Sequence, residues 1–337
     1  MLDFDSLKKR ITSERLEDYK FIYELTKLKG GRVAFHGADA DGVISAVIVK
    51  AVYPEKELIF IPLGYEILEL EKFGTYLSTL DWFAIVDLPP FSECFLFCDH
   101  HQTNVDIEIK AEISLFNPKA PSAAFLLAEN YKNIHDNIIE LVKLTEITDV
   151  AGYTIPAPLE ISSNYSTVQE KAWALNDVCK SLDSSKQIVE LVHKLEAKGF
   201  EAIPHYYNEY IAIHRAKRKK SIEIAQHMTI SDMVILNFAD DTYNRFAILH
   251  ELLQRGVKVG MVSVFEKSYY SLSFRHSKTL TKEEQIKFRV DELAEKLGGG
   301  GHISASGARV INLSDKIKEI VLWGKERGLN PIIKEIN

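Results

Sequence analysis

Between Gly31 and about Tyr131 the sequence alternates short, almost wholly apolar runs with amphipathic ones. RVAFH, ELIFI, WFAIVD and CFLFCD have the length and composition of buried strands, while VISAVIVKAVY, ILELEKFGTYL and PSAAFLLAENY carry helical spacing. Strands without a polar face need cover on both sides, which a parallel sheet with crossover helices supplies. The expected fold class is therefore α/β, with a doubly wound, mainly parallel sheet. From about Ser185 to Met228 strand signals stop, and SKQIVELVHKLEAKGF and YYNEYIAIHRAKRKKSIEIAQHM read as helices bridging two domains. Beyond them DMVILNF, VKVGMVSVF, YYSLSFR and ASGARVINL read as strands of a smaller α/β unit, with helices over RFAILHELLQR and FRVDELAEKL. A length of 337 residues suits two compact units, so the predicted division is a first domain at 1–184, a helical connector at 185–228 and a second domain at 229–337.

Composition narrows the class of partner. With 46% hydrophobic and 26% charged residues the chain reads as soluble and globular. The opening MLDFDSLKKR lacks the apolar stretch of a secretory signal, and no later run is long enough to span a bilayer, so a cytoplasmic location without membrane contact is expected. Cys94, Cys98 and Cys179 suit a reducing compartment; strand alternation in ECFLFC turns Cys94 and Cys98 to one face, where buried core thiols are a better reading than a zinc site. A formal charge of -7 argues against a broad basic surface for duplex DNA, but bound divalent cations can supply positive charge locally, confining nucleic-acid contact to a groove. The basic run His214 to Lys220 reads as a solvated helix face rather than a phosphate contact.

In doubly wound sheets ligands gather beyond the carboxyl ends of the strands, and the polar clusters fall there. His36, Asp39 and Asp41 follow the first strand in HGADADG; Asp87 closes the third and is stopped by Leu88-Pro89-Pro90; Asp99-His100-His101 closes the fourth. Asp149 follows the helical IIELVKLTEI, where the chain turns through Ala151-Gly152. Any one of these has a plain structural role, Asp39 as a helix cap and Asp87 as a strand terminus. Together they would repel and desolvate badly without compensation, and cations resolve the conflict. Carboxylates mixed with imidazole suit Mn²⁺, and Mg²⁺ less well, and so many ligands suit two ions sharing a bridging carboxylate. Such a pair polarises a phosphoryl group, lowers the pKa of a bound water and stabilises the leaving oxygen.

The order HGADADGV, a strand-ending aspartate, DHH and a later aspartate resembles the DHH phosphoesterase family, which includes RecJ exonucleases and oligoribonucleases. Gly298-Gly299-Gly300-Gly301-His302, preceded by the strand holding Ser273 and Arg275, resembles the DHH-associated substrate-binding domain, so the resemblance covers about residues 30 to 330. It implies that His36, Asp39 and Asp87 hold one metal and that Asp41, Asp87, His100 and Asp149 hold the other, with Asp87 as the bridge. It further implies that Asp99 orients a histidine and that His101 faces the scissile phosphate. In the second domain the glycines let main-chain N–H groups approach an anion, His302 adds a donor, and Arg275 offers a forked pair. A helix stop alone needs one glycine, which favours binding by Gly299, Gly300, Gly301 and His302.

Larger RecJ proteins also carry an oligonucleotide-binding barrel, whereas here a short tail of helical pattern follows the glycines. Processive action on long strands would then need an oligomer or a replication or repair partner to supply grip. Three functions stay open: an exonuclease on single-stranded DNA or RNA or short oligonucleotides, releasing mononucleotides; a phosphatase or phosphodiesterase for 3′-phosphoadenosine 5′-phosphate or cyclic dinucleotides; and a catalytically silent assembly subunit. No expected ligand is missing, which speaks against the third.

Overall fold

The computed structural model describes residues 13–150, 152–162, 164–239, 242–266 and 269–336, so MLDFDSLKKR and the turn at Ala151 lie outside the described residues. The chain divides into two compact units, Met1–Arg215 and Ala216–Asn337.

The first unit is built on β1 (Gly31–His36), β2 (Leu58–Leu63), β3 (Trp82–Val86), β4 (Cys94–Asp99) and β5 (Ala111–Phe116), in the order β2-β1-β3-β4-β5. Every pairing is parallel. One face packs Val33, Phe35, Ala84, Val86, Leu96 and Cys98 against helices that include Ala40–Val52, Ala123–Asn130 and Asp136–Asp149. The other packs Ala34, Ile85 and Phe97 against Leu16, Phe73 and Leu77. Apolar residues thus point both ways along each central strand, as the runs predict. The helix Ala40–Val52 is buried continuously from Ala40 to Val49, consistent with its almost uniformly apolar sequence.

Three strands among the described residues escape the sequence reading, the shortest of them β9 (Gly300–His302) within the glycine run. β5 and β11 (Pro331–Ile336) both alternate between half-buried and exposed positions at sheet edges, so neither presents a continuous apolar run. The tail expected to be helical in fact contains the helix Leu313–Glu326 followed by β11, which pairs in parallel with β6 (Met233–Phe238). The second sheet runs β11-β6-β7-β8-β10-β9, with β7 (Val259–Glu266), β8 (Tyr269–His276), β9 (Gly300–His302) and β10 (Ala305–Val310). Its β6 side is parallel and the remainder antiparallel, giving a mixed sheet in a smaller α/β unit.

Two further expectations are corrected. Cys98 is buried with the face that covers Ala40–Val52, but Cys94 packs with the opposite cluster. Alternation slips between Phe95 and Leu96, which both pack on the first face, Phe95 stacking on Phe83 at 5.1 Å. The run His214 to Lys220 is not a solvated face throughout, because Arg215 and Arg218 are buried. Arg215 Nε donates to Asp177 Oδ2 at 2.8 Å and Nη1 to the Glu160 carbonyl at 2.6 Å, so a buried carboxylate draws the guanidinium in. The helix Ser185–Lys198 contributes Leu191, Val192 and Leu195 to the first unit's core, so the segment read as a connector divides between the two units.

Candidate metal centre

In the order β2-β1-β3-β4-β5 the chain steps one way from β1 and returns on its other side at β3, placing a topological switch between them. His36 ends β1, Asp87 follows β3 directly, and Asp99 ends β4. Three side chains therefore reach the same rim by strand length alone.

Asp87 has φ 54, a left-handed conformation uncommon for a residue with a side chain. Its N–H donates to the Cys98 carbonyl at 2.8 Å, so pairing with β4 holds the bend in place. Its carboxylate is 1% exposed, and neither oxygen has a hydrogen-bond partner. Burial first, then the neighbouring Asp41 and Asp39, pushes its pKa well above the usual carboxylate range. A strained backbone carrying an unpartnered buried carboxylate is costly, which points to function.

Asp39 and Asp41 flank the start of the helix Ala40–Val52. Asp39 does cap it, accepting from Gly42 N at 3.3 Å, and its Oδ2 also lies 2.8 Å from His36 Nδ1. A Cβ on Gly42 would stand 2.0 Å from the His36 carbonyl oxygen, so glycine lets the helix start this close to the strand. Burial opposes ionisation of Asp39, but His36, the Lys180 charge and the Gly42 N–H outweigh it and hold its pKa below the carboxylate norm. Asp41 accepts from Ala123 N at 2.7 Å and Ala124 N at 2.8 Å, at the start of the helix Ala123–Asn130. Even so, burial and Asp149 push its pKa up to about 7.

The two adjacent imidazoles are fixed in different ways. His100 Nδ1 lies 3.2 Å from the Ala120 carbonyl, which can only accept, so Nδ1 carries the proton. Nε2 points the other way, 3.3 Å from Asp41 Oδ2, 3.4 Å from Asp149 Oδ2 and 3.9 Å from Asp87 Oδ1. His101 Nδ1 donates to Asp99 Oδ1 at 2.8 Å, while Asp99 Oδ2 accepts from Asn104 Nδ2 at 2.6 Å. Burial lowers the His101 pKa, but the Asp99 bond and charge more than reverse this, and the net shift is upward. Its Nε2 lies 3.5 Å from the Tyr65 hydroxyl.

The structure brings His36, Asp39 and Asp87 together, and likewise Asp41, His100 and Asp149, and Asp87 with both histidines, each set with donor atoms within 4.8 Å of one another. Two of these sets coincide with the ligand groups that the resemblance implies, apart from the shared Asp87. His36 Nδ1, His100 Nε2 and both Asp87 oxygens are buried without hydrogen-bond partners, a donor set that fits divalent cations held by mixed carboxylate and imidazole. Asn104, Tyr65 and Lys180 had no pattern to mark them: Asn104 lies in the turn after DHH, Tyr65 begins a four-residue helix after β2, and Lys180 donates to the Ala38 carbonyl at 2.8 Å from a distant helix.

In the second unit the glycines have separate tasks. Gly298 (φ 80) follows the helix Val290–Lys296, and Gly301 (φ 140) packs on Ser306. A Cβ on Gly299 would lie 2.0 Å from the Gly307 carbonyl oxygen. Gly298 and Gly300 both have open space around them, but only Gly300 has neither a left-handed φ nor a close neighbour, so helix termination and strand packing account for the other three. Gly300 and His302 are exposed in β9, and Arg275 is exposed near the end of β8.

The sequence matches no family model, and no curated protein matches it. Among solved structures it is similar to the pGpG-specific phosphodiesterase PggH from Vibrio cholerae, with TM-score 0.59 and 18% identity over 88% of this chain and 99% of that one. It is also similar to an exonuclease RecJ bound to manganese, with TM-score 0.53 and 14% identity over 94% of this chain and 95% of that one. RecJ from Thermus thermophilus in complex with Mn²⁺ gives TM-score 0.50 and 14% identity over 96% of this chain, which spans 56% of that one. The fold is that of the DHH phosphoesterases. Within it, the rim carrying His36, Asp87 and DHH occupies the sheet's switch point.

Proposed function

We propose that this chain is a divalent-cation-dependent phosphodiester hydrolase that acts on single-stranded or short nucleic acids and releases mononucleotides. The observation that carries this reading is Asp87, buried, backbone-strained and unpartnered between His36 and the two histidines of DHH. His36, Asp39, Asp41, His100 and Asp149 complete a ligand set for two ions, Mn²⁺ or Mg²⁺, with Asp87 shared. Such ions, when bound, polarise a phosphoryl group and activate water.

The chain's own groups do the remaining work. Asp99 fixes the His101 ring, Asn104 fixes Asp99, and His101 Nε2 is left to donate a proton to a phosphoryl or leaving oxygen. The upward pKa shift of His101 keeps that proton available near neutral pH. Arg275, His302 and the main chain at Gly299, Gly300 and Gly301 bind substrate phosphate in the second unit.

One observation favours a short substrate over a long strand. The chain matches a pGpG-specific phosphodiesterase over 99% of that protein at TM-score 0.59, above the 0.53 of the manganese-bound exonuclease RecJ. The test is product analysis on end-labelled oligonucleotides of graded length with Mn²⁺, alongside pGpG, a cyclic dinucleotide and 3′-phosphoadenosine 5′-phosphate. Mononucleotide release that is fastest on the shortest oligonucleotides supports the proposal. Turnover of 3′-phosphoadenosine 5′-phosphate alone shifts the reading to a small-nucleotide phosphatase, and no turnover of any of them leaves the assembly-subunit reading.

A further inference from the structure

The second unit's sheet is unevenly covered. Residues directly opposite on neighbouring strands share a face, and Val262 and Val264 of β7 stand opposite Ser273 and Ser271 of β8. The two valines are buried with Ile248, Leu249 and Leu252 of the helix Arg245–Gln254. That cluster takes in no residue of β8 or β10 among the described residues. The same face continues through Ser273 to Gly307, through Arg275 to Ala305 and through Ser271 to Arg309, small or polar positions that are half-buried apart from the two exposed arginines. What remains beside the helix is a stretch of sheet whose small residues Ser271, Ser273, Ala305 and Gly307 lie between Arg275 and Arg309.

Phe246 stands at the edge of that stretch. It sits in the first turn of the helix, is 48% exposed, and its ring centroid lies 5.8 Å from the Arg275 guanidinium carbon and 5.9 Å from that of Arg245. An apolar residue at this position would lower its energy by turning inward, as Ile248 and Leu249 do. Burial lowers the pKa of His250 on the same helix; Glu251 opposes this, while Lys278 and Arg275 add to it, so both cations lie near this edge. A half-exposed aromatic ring with a forked cation loosely over it, 5.8 Å from its centroid, matches the two halves of a nucleotide: the π-face of a base and the phosphate next to it.

We propose that Phe246 is a nucleobase-stacking platform, and that with Arg275 it makes the second unit selective for nucleotides over base-free phosphate compounds. The inference rests on the nucleic-acid reading above and narrows it: the substrate presents a base adjacent to the phosphate held by Arg275. Stacking tolerates any base, so the platform selects for the presence of a base rather than its identity.

The test is equilibrium binding of AMP and of ribose 5-phosphate to the full chain without added metal, in wild type, Phe246→Ala, Phe246→Trp and Arg275→Ala. Wild type binds AMP about tenfold more tightly than ribose 5-phosphate, the low end of what one base–aromatic stack contributes. Phe246→Ala removes that ratio, Phe246→Trp keeps it, and Arg275→Ala weakens both ligands together. No preference for AMP in wild type, or an equal loss of both ligands in Phe246→Ala, overturns the proposal. If the AMP preference follows this pattern while no phosphodiester is cleaved with Mn²⁺, the platform stands and the hydrolase reading falls.

Discussion

The two units place their polar groups under opposite constraints. In the first, Asp87, His36 and His100 present buried, unpartnered atoms to a common point, and the backbone at Asp87 is held in a left-handed conformation. In the second, Arg275, Gly300 and His302 lie at the surface and Arg275 shares a sheet face with small residues. A cluster that costs stability unless something binds it is suited to chemistry, whereas an exposed set can gain or lose a contact at little cost to the fold. Changes at the first unit's cluster should therefore trade stability against turnover, while changes at Arg275, Gly300 and His302 should move affinity alone.

The largest expected effect is at Asp87. Asp87→Asn keeps the shape and tolerates the left-handed φ while removing the buried charge. If Asp87 holds both proposed ions, the substitution should lower hydrolysis by more than about a thousandfold. The same variant should melt higher than wild type without metal and gain nothing from Mn²⁺, which calorimetry with and without the ion checks. A variant that keeps turnover, or melts lower without metal, breaks the contrast between the units.

The pH dependence follows from the same burial. Asp41 is raised from 3.8 to about 7 in the folded chain, and Asp87 moves in the same direction. Between pH 4 and 7 the folded state therefore holds protons that the unfolded chain has released, so stability of the metal-free protein falls as pH rises through that window. A drop in Tm on the order of 5 °C across it is expected. Saturating Mn²⁺ should flatten or reverse the slope, because ionised carboxylates bind the ion more tightly. Asp41→Asn should also flatten it without metal, and an unchanged slope would assign the effect to other groups.

A smaller effect is expected at Asn104, where the first unit's chemistry depends on a residue outside any motif. Asn104→Ala leaves one oxygen of the fully buried Asp99 without its 2.6 Å donor, at a cost of about 1–3 kcal/mol. If Asn104 positions His101 through Asp99, kcat should fall about tenfold with KM little changed, in line with losses at residues that orient a ligand. The alkaline limb of the kcat profile should also shift as Asp99 loosens its hold on His101. A fall in stability with neither kinetic change would make Asn104 purely structural.

Asn104 also marks where the sequence stops being legible. β1 to β4 were readable because each is apolar on both faces, and the carboxylates were readable because HGADADG, Asp87 and DHH end successive strands. β5 and β11 were not, since edge strands need only one covered side and their half-exposed alternation resembles a loop or a helix end. Asn104, Lys180 and Tyr65 reach the rim through tertiary packing, which leaves no trace in local spacing. Phe246 was readable only as one more apolar residue of RFAILHELLQR, because what distinguishes it is its exposure beside Arg275.

The smallest and sharpest test lies in the glycine run. Four glycines exceed what a helix stop requires, which favours phosphate binding, yet a left-handed φ at Gly298 and close neighbours at Gly299 and Gly301 already account for three of them. Gly299→Ala should destabilise by about 2–4 kcal/mol, since its Cβ meets the Gly307 carbonyl oxygen at 2.0 Å and β10 must shift. Gly300→Ala meets nothing within 4 Å, and its effect on stability should stay within about 0.5 kcal/mol. If the main chain at Gly300 closely approaches a substrate phosphate, the added methyl should raise KM several-fold while Tm stays fixed. If KM is also unchanged, the glycines serve packing and turn geometry alone, and phosphate recognition in the second unit falls to Arg275 and His302.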